Sequence, residues 1–244
     1  ATHMGYHWVY HAPKQKLAVF DYQPSRSGKG PQGFLKTFQG SLQTDGYTAY
    51  EQLGKKPGIT LLACMAHARR YFEKALDNDK ERAEHALKVI QLLYALEREA
   101  QEDDSIDLIT LRRQKAEPIL FAWKEWLGQQ QGKVLPKSSI GKAINYTINL
   151  WPRLIRYTQQ ADYCIDNNGI ENTIRPLAIG RKNYLFAGSH EAAQRAAMFY
   201  SFFACCKLHQ VNPYEWLKQT LERIPDYQIN KIAELLPHNY KHLP

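Results

Sequence analysis

Apolar and polar positions change rhythm twice along this chain. Over the first 76 residues, β-rich runs alternate with short amphipathic ones. "YHWVYHA" (6–12) and "KLAVFDYQ" (16–23) flank "APKQ", which predicts a hairpin. "PSRSGKGP" (24–31) has loop composition. "PQGFLKTFQG" (31–40) carries apolar residues at 34, 35 and 38, which predicts a short helix closed by Gly40. "SLQTDGYTAY" (41–50) reads as a strand running into a short helix. "GITLLACMAHARRYFEKAL" (58–76) starts as a strand and continues as a helix with Ala68, Tyr71, Phe72 and Ala75 on one side. This β-β-α-β-α-β-α order predicts an α/β layer fold with a mixed sheet.

From about residue 80 to 160 the period is helical throughout, in "AEHALKVIQLLYALEREAQ" (83–101), "SIDLITLRRQKAEPILFAWKEWLGQQ" (105–130) and "SSIGKAINYTINLWPRLIRYTQ" (138–159). Pro118 predicts a kink in the second, and Pro152 an interruption of the third. No strand pattern occurs there, so this stretch reads as a helical insertion. A dense polar stretch, 161–189, follows. "HEAAQRAAMFYSFFACCKLHQ" (190–210) predicts a long helix capped by Ser189. Asn212 and Pro213 open another helix, and 226–237 a last short one before a polar tail. The expected organisation is 1–76 and 161–210 as two parts of one core, 77–160 as the insertion, and 211–244 as a C-terminal helical element.

Hydrophobic residues at 44% and aromatics at 12% of 244 residues supply a core and exclude a disordered or fibrous chain. A net charge of +8 favours polyanionic partners, nucleic acid first among them. No apolar run approaches 18 residues, so no membrane span is expected, and residues 1–25 lack a signal-peptide layout. Cys64, Cys164, Cys205 and Cys206 form no disulfide framework, which fits a reducing cytoplasm. "ATHMG" reads as a tag scar or as the interior of a longer protein.

Candidate chemistry lies in a few stretches. In "LQTDGYTAY", Asp45 is either a turn residue after a strand or a carboxylate placed to hold a metal. In "DNNGIEN" (166–172), Asp166, Asn167 or Asn168 can cap a helix. Glu171 would then lie in its first turn, where the helix dipole favours it without any function. Arg175 stands at i+4 from Glu171, a salt-bridge spacing. Pro176 and Gly180 argue against a long regular helix, so Lys182 is not assigned to the face of Glu171. "IGRKNYLFAGS" (179–189) sets Arg181 and Lys182 beside aromatics on a Gly-flanked loop, suited to phosphate contact and base stacking. "SRSGKGPQG" carries Arg26 and Lys29 but lacks phosphate-loop spacing. "CMAHARR" holds His67, Arg69 and Arg70. Its Cys64–His67 pair and the Cys206–His209 pair have zinc-like spacing, with core packing as the alternative.

Five stretches, "LQTDGYTAY", "CMAHARRYF", "LPKSSIGKAINY", "IDNNGIENTIRPLAIGRKNYLFAGS" and "LLPHNYK", resemble in that order the transposases of the bacterial insertion sequence 66 family. The resemblance implies a DDE transposase with a ribonuclease-H-like core: a mixed sheet with flanking helices, a large all-helical insertion and a short helical C-terminal element. It implies catalytic, metal-holding carboxylates at Asp45 and Glu171, two Mg²⁺ (or Mn²⁺) ions, and DNA as partner, both transposon ends and target. Arg175, Arg181, Lys182, Arg69, Arg70, Arg26 and Lys29 become DNA contacts, with His67 and Asn168 as accessories. The full-length protein is expected to be a homo-oligomer without membrane association. The family's first catalytic aspartate lies on a strand upstream of "GYHWVY", a position this sequence does not include. The chain is therefore expected to be a fragment with little activity of its own. The alternative is a non-catalytic DNA-binding module of a defective element.

Overall fold

The structure is a computed structural model that describes residues 3–240. Ala1, Thr2 and residues 241–244, including the last residue of "LLPHNYK", lie outside it. Four strands, β1 (Tyr6–Ala12), β2 (Leu17–Gln23), β3 (Gly40–Thr44) and β4 (Ile59–Ala63), combine with nine helices among the described residues. These are α1 (Lys29–Phe34), α2 (Met65–Glu73), α3 (Lys80–Glu102), α4 (Leu108–Leu111), α5 (Glu117–Gln131), α6 (Ser139–Leu154), α7 (Asn168–Tyr184), α8 (His190–Leu208) and α9 (Pro213–Arg223). The chain is α/β and mostly helical. Its strands pair as two separate two-stranded sheets rather than one mixed sheet: β1 antiparallel to β2, and β3 parallel to β4. Two compact units result, Ala1–Phe34 with Asn168–Pro244, and Leu35–Asn167.

In the first unit the expected hairpin forms in register Trp8↔Asp21 and Val9↔Phe20. Helix α8 covers the outer edge of β2. Phe20 N donates to Ser201 Oγ at 2.8 Å, and Ala18 N to Cys205 Sγ at 3.5 Å. Ser201 and Cys205 are one turn apart, so one stripe of small side chains satisfies an edge that otherwise invites another strand. Val9, Phe20 and Ala197 form the core here, with Ile170, Ile174 and Leu177 of α7 packed on it. The caps are as the sequence implies. Ser189 Oγ accepts from Ala192 N, and Asn212 Oδ1 from Tyr214 N ahead of Pro213. Cys206, Val211 and Trp216 build a small second core, and Trp216 Nε1 donates to Leu235 O at 2.9 Å.

The second unit holds the larger core, running from Leu62 and Ala63 of β4 through α2, α3, α5 and α6 to Ile165. The helices of 77–160 therefore share one core with β4 and α2. The kink expected at Pro118 takes the form of a π-helical turn, Arg112–Ala116, just before it. This wide turn carries the fully buried Arg112. Its guanidinium clasps Glu97 through two bonds of 2.8 and 2.6 Å and also donates to the carbonyls of Tyr157, Gln160 and Tyr163. The Glu97 carboxylate and three carbonyls thus take up the guanidinium's donors, the condition under which a buried charge is tolerated. At Pro152, α6 continues to Leu154 before tightening into a 3₁₀ turn, Ile155–Gln159. Helix α1 begins at Lys29, earlier than the apolar spacing implied, and stops at Phe34, whose ring stacks on Tyr10 at 3.9 Å.

Candidate active site

Asp45 immediately follows β3, at the carboxyl end of the parallel β3–β4 pair, the end where open parallel sheets place ligands. Three side chains of α6 hold the turn it sits in. Tyr146 donates its hydroxyl to Asp45 O at 2.7 Å. Leu150 packs against Gly46 so closely that a Cβ there would stand 2.6 Å from Leu150 Cδ1. Arg153 forks onto Glu51 with bonds of 2.7 and 2.6 Å. Residues 146, 150 and 153 lie on one helix face, so the helical stretch is the brace of the β3 terminus. Gly46 also has φ +83, a conformation natural only to glycine.

The Asp45 carboxylate is exposed, and its Oδ1 accepts from Tyr47 N at 2.9 Å. It is thus a turn-forming residue, as the sequence allowed, and it still presents its carboxylate to solvent. The Tyr50 and Tyr146 hydroxyls are pushed up, mainly by burial, with the Asp45 charge adding to it. Both therefore stay protonated. The Arg153 guanidinium holds Glu51 below its ordinary range.

A second carboxylate in this unit was read from the sequence only as a cap. Asp166 Oδ2 accepts from Tyr94 of α3 at 2.6 Å. Asn167 N donates to Cys64 Sγ at 3.4 Å, and Met65 N to Ile165 O at 3.0 Å, so the segment ahead of α7 is tied to the start of α2. Burial raises the Cys64 thiol, with Asp166 contributing. It is a packed core cysteine, not a reactive one. His67 lies in the first turn of α2, with Arg70 Nη1 at 3.5 Å from its Nε2. Arg69 is paired with Glu73 at 2.8 Å.

The other predicted residues lie in the first unit. Helix α7 runs unbroken through Pro176 and Gly180 to Tyr184, which corrects the expected interruption. Ile170, Ile174 and Leu177 anchor it on β1 and β2, and this packing outweighs the missing proline bond. Gly169 lets its first turn approach His11, whose Cε1 would be 3.1 Å from a Cβ there. Glu171 is half-buried in that turn. At about 100° per residue, Arg175 and Lys182 fall within about 40° of Glu171 around the axis, so one face carries all three. Arg175, Arg181 and Lys182 are exposed, and no ion pair among the described residues neutralises them. Asn168 is the first residue of α7, Lys29 the first of α1, and Arg26 is exposed on the loop before it.

Asp45 and Glu171 are hard oxygen donors, the type Mg²⁺ and Mn²⁺ take. Among the described residues, no three His, Cys, Asp or Glu side chains gather into a complete metal-holding set. The zinc-like pairs fall in different units, and Cys206 is core packing beside Trp216. No helix of the described residues is long and apolar enough to cross a membrane.

Residues 1–195 match the family described as "Transposase IS66 family", and residues 201–238 match the "IS66 C-terminal element". Three uncharacterized proteins of Sinorhizobium fredii (strain NBRC 101917 / NGR234) are similar along most of the chain. y4hP is 30% identical over 241 residues, covering 92% of this chain and 44% of its own length. y4jD is 30% identical over 240 residues, covering 94% and 47%, and y4qI is 32% identical over 234, covering 92% and 43%. The chain thus spans less than half the length of these relatives. No solved structure matches it.

Proposed function

The chain belongs to the IS66 transposase family, and from that premise we propose that it is the catalytic part of a DDE-type polynucleotidyl transferase that cuts and joins DNA strands at transposon ends. The observation that carries the reading is the Asp45 turn: an exposed carboxylate at the carboxyl end of a parallel strand, braced by Tyr146, Leu150 and Arg153.

In this reading Asp45 and Glu171 hold two Mg²⁺ or Mn²⁺ ions, which supply charge to activate an attacking oxygen and to stabilise a leaving one. Water is the first nucleophile. It forms a bond to phosphorus as the bond to the 3′-oxygen breaks, leaving a 3′-hydroxyl and a 5′-phosphate. That hydroxyl then attacks a target phosphodiester, displacing another 3′-oxygen. Arg175 and Lys182, on the face of α7 that carries Glu171, hold phosphates beside the scissile bond together with Arg181. Arg70, with His67 against it, Arg69, Arg26 and Lys29 extend the DNA track, and Asn168 positions the first turn of α7. A ribonuclease-H-like core belongs to the same proposal. It requires a further strand bearing another aspartate, and β1 and β3 each have an edge with no strand on it among the described residues. Homo-oligomer formation is proposed for the full-length protein.

Fe²⁺ in place of Mg²⁺ tests the metal assignment without relying on turnover. With ascorbate and peroxide, local radical cleavage of the backbone is expected near both residue 45 and residue 171. Asp45→Asn or Glu171→Gln should weaken the cleavage about 10-fold or more. Cuts near neither residue would remove both from the metal site. If metal fails to bind while DNA is still bound, the non-catalytic module is the better reading.

A further inference from the structure

The corner between α7 and α8 is built against the ordinary rules of a helix end. Leu185 N donates to Arg181 O at 3.1 Å, which closes α7, and Leu185 takes φ 65 to do so. Helices put glycine or asparagine at this position, because a side chain there is strained. Here it is a leucine, 75% exposed, followed by Phe186, also 75% exposed. The strain is not offset by burial. The corner is nevertheless firmly mounted. Gly180 admits Tyr200, whose hydroxyl would lie 2.6 Å from a Cβ at that glycine, and the Tyr184 and Tyr200 hydroxyls meet at 3.4 Å. Ser189 caps the helix on the other side.

Charge identifies the occupant. Residues 179–189 contain Arg181 and Lys182 and no acidic residue, and both cations are exposed and unneutralised among the described residues. A protein partner's apolar patch would not call for two uncompensated cations beside the exposed pair. A stack of bases lined by phosphates would, and apolar wedges entering DNA between bases are a known way of unstacking a step.

We infer that the α7–α8 corner is a wedge that enters DNA between bases, with Leu185 and Phe186 parting the stack while Arg181 and Lys182 hold the flanking phosphates. This rests on the DNA-acting reading above and adds to it a place where the DNA is distorted.

The test uses the 244-residue chain and a forked DNA duplex of mixed sequence with 2-aminopurine at the fork. Fluorescence should rise on saturation as the base unstacks. Leu185→Ala with Phe186→Ala should abolish the rise and weaken binding about 10-fold, leaving the salt dependence unchanged. Arg181→Gln with Lys182→Gln should do the reverse, lowering the salt slope by about two while keeping the rise at saturation. Leu185→Asn should raise the melting temperature while losing the rise, a combination that a purely structural leucine cannot give. Phe186→Trp should keep the rise. If the alanine pair binds and fluoresces like the parent, the wedge is wrong and DNA binding stands. If the parent binds no DNA, the reading beneath it fails as well. If the alanine pair changes only binding to anionic vesicles, the corner is a membrane contact and the inference is overturned.

Discussion

At Asp45 a single carboxylate is asked both to make a turn and to face solvent, and the two roles separate chemically. Asn retains a side-chain oxygen that can accept from Tyr47 N, so Asp45→Asn should leave the urea midpoint unchanged while removing the proposed metal charge. Gly46→Ala should do the opposite. Its Cβ meets Leu150 at 2.6 Å in a left-handed backbone, so a loss of about 1–3 kcal/mol is expected in urea unfolding. Equal destabilisation by both variants would show that the carboxylate serves the turn alone. The apolar run, the Asp-Gly pair and the carboxylate were all legible in the sequence. The brace was not, because Tyr146 lies 101 residues from Asp45 and no local period links them. The same holds for Tyr94 and Asp166, 72 residues apart; Asp166 reads locally as a helix cap and nothing more.

Among the elements, the helices declared themselves through their 3.6-residue rhythm and their caps, and departures arose where tertiary packing outweighed local preference. Helix α7 survives Pro176 because three of its apolar residues are held on the β1–β2 core. The buried role of Arg112 was equally hidden, since Glu97 and Arg112 stand 15 residues apart on different elements and no local period links them. In the structure that pair ties α3, the π-helical turn and the 155–163 segment together. Arg112→Met leaves Glu97 buried without its partner, so a loss of about 3–5 kcal/mol is expected. Adding Glu97→Leu removes the stranded charge and should recover much of it. Chemical denaturation of the single and double variants checks this. If the double variant is no better than Arg112→Met alone, the carbonyl bonds of Arg112 rather than its ion pair hold the segment.

For the whole molecule, net charge and the mixture of strands and helices pointed to an α/β protein for a polyanion. The division into two units was not legible, because it depends on which strands pair and not on where they lie in sequence. It also makes one unit sensitive to acid. His7 and His11 both lie on β1, and both have pKa values lowered by burial, an effect the Asp21 charge only partly opposes at His7. A base whose folded pKa lies below its ordinary 6.5 binds fewer protons folded than unfolded in the interval between the two values. Its stabilising contribution is therefore complete above pH 6.5 and falls as pH drops through that interval to the folded value. The melting temperature of the unit containing β1 should accordingly decline below about pH 6.5, while the His7→Gln, His11→Gln double variant should show a flatter profile there. Histidine ring resonances followed by NMR give the direct check, because both rings should titrate below 6.5. Rings that titrate at or above 6.5 would mean that β1 is more open to water than this packing allows, and the acid sensitivity argued for this unit would fall with them.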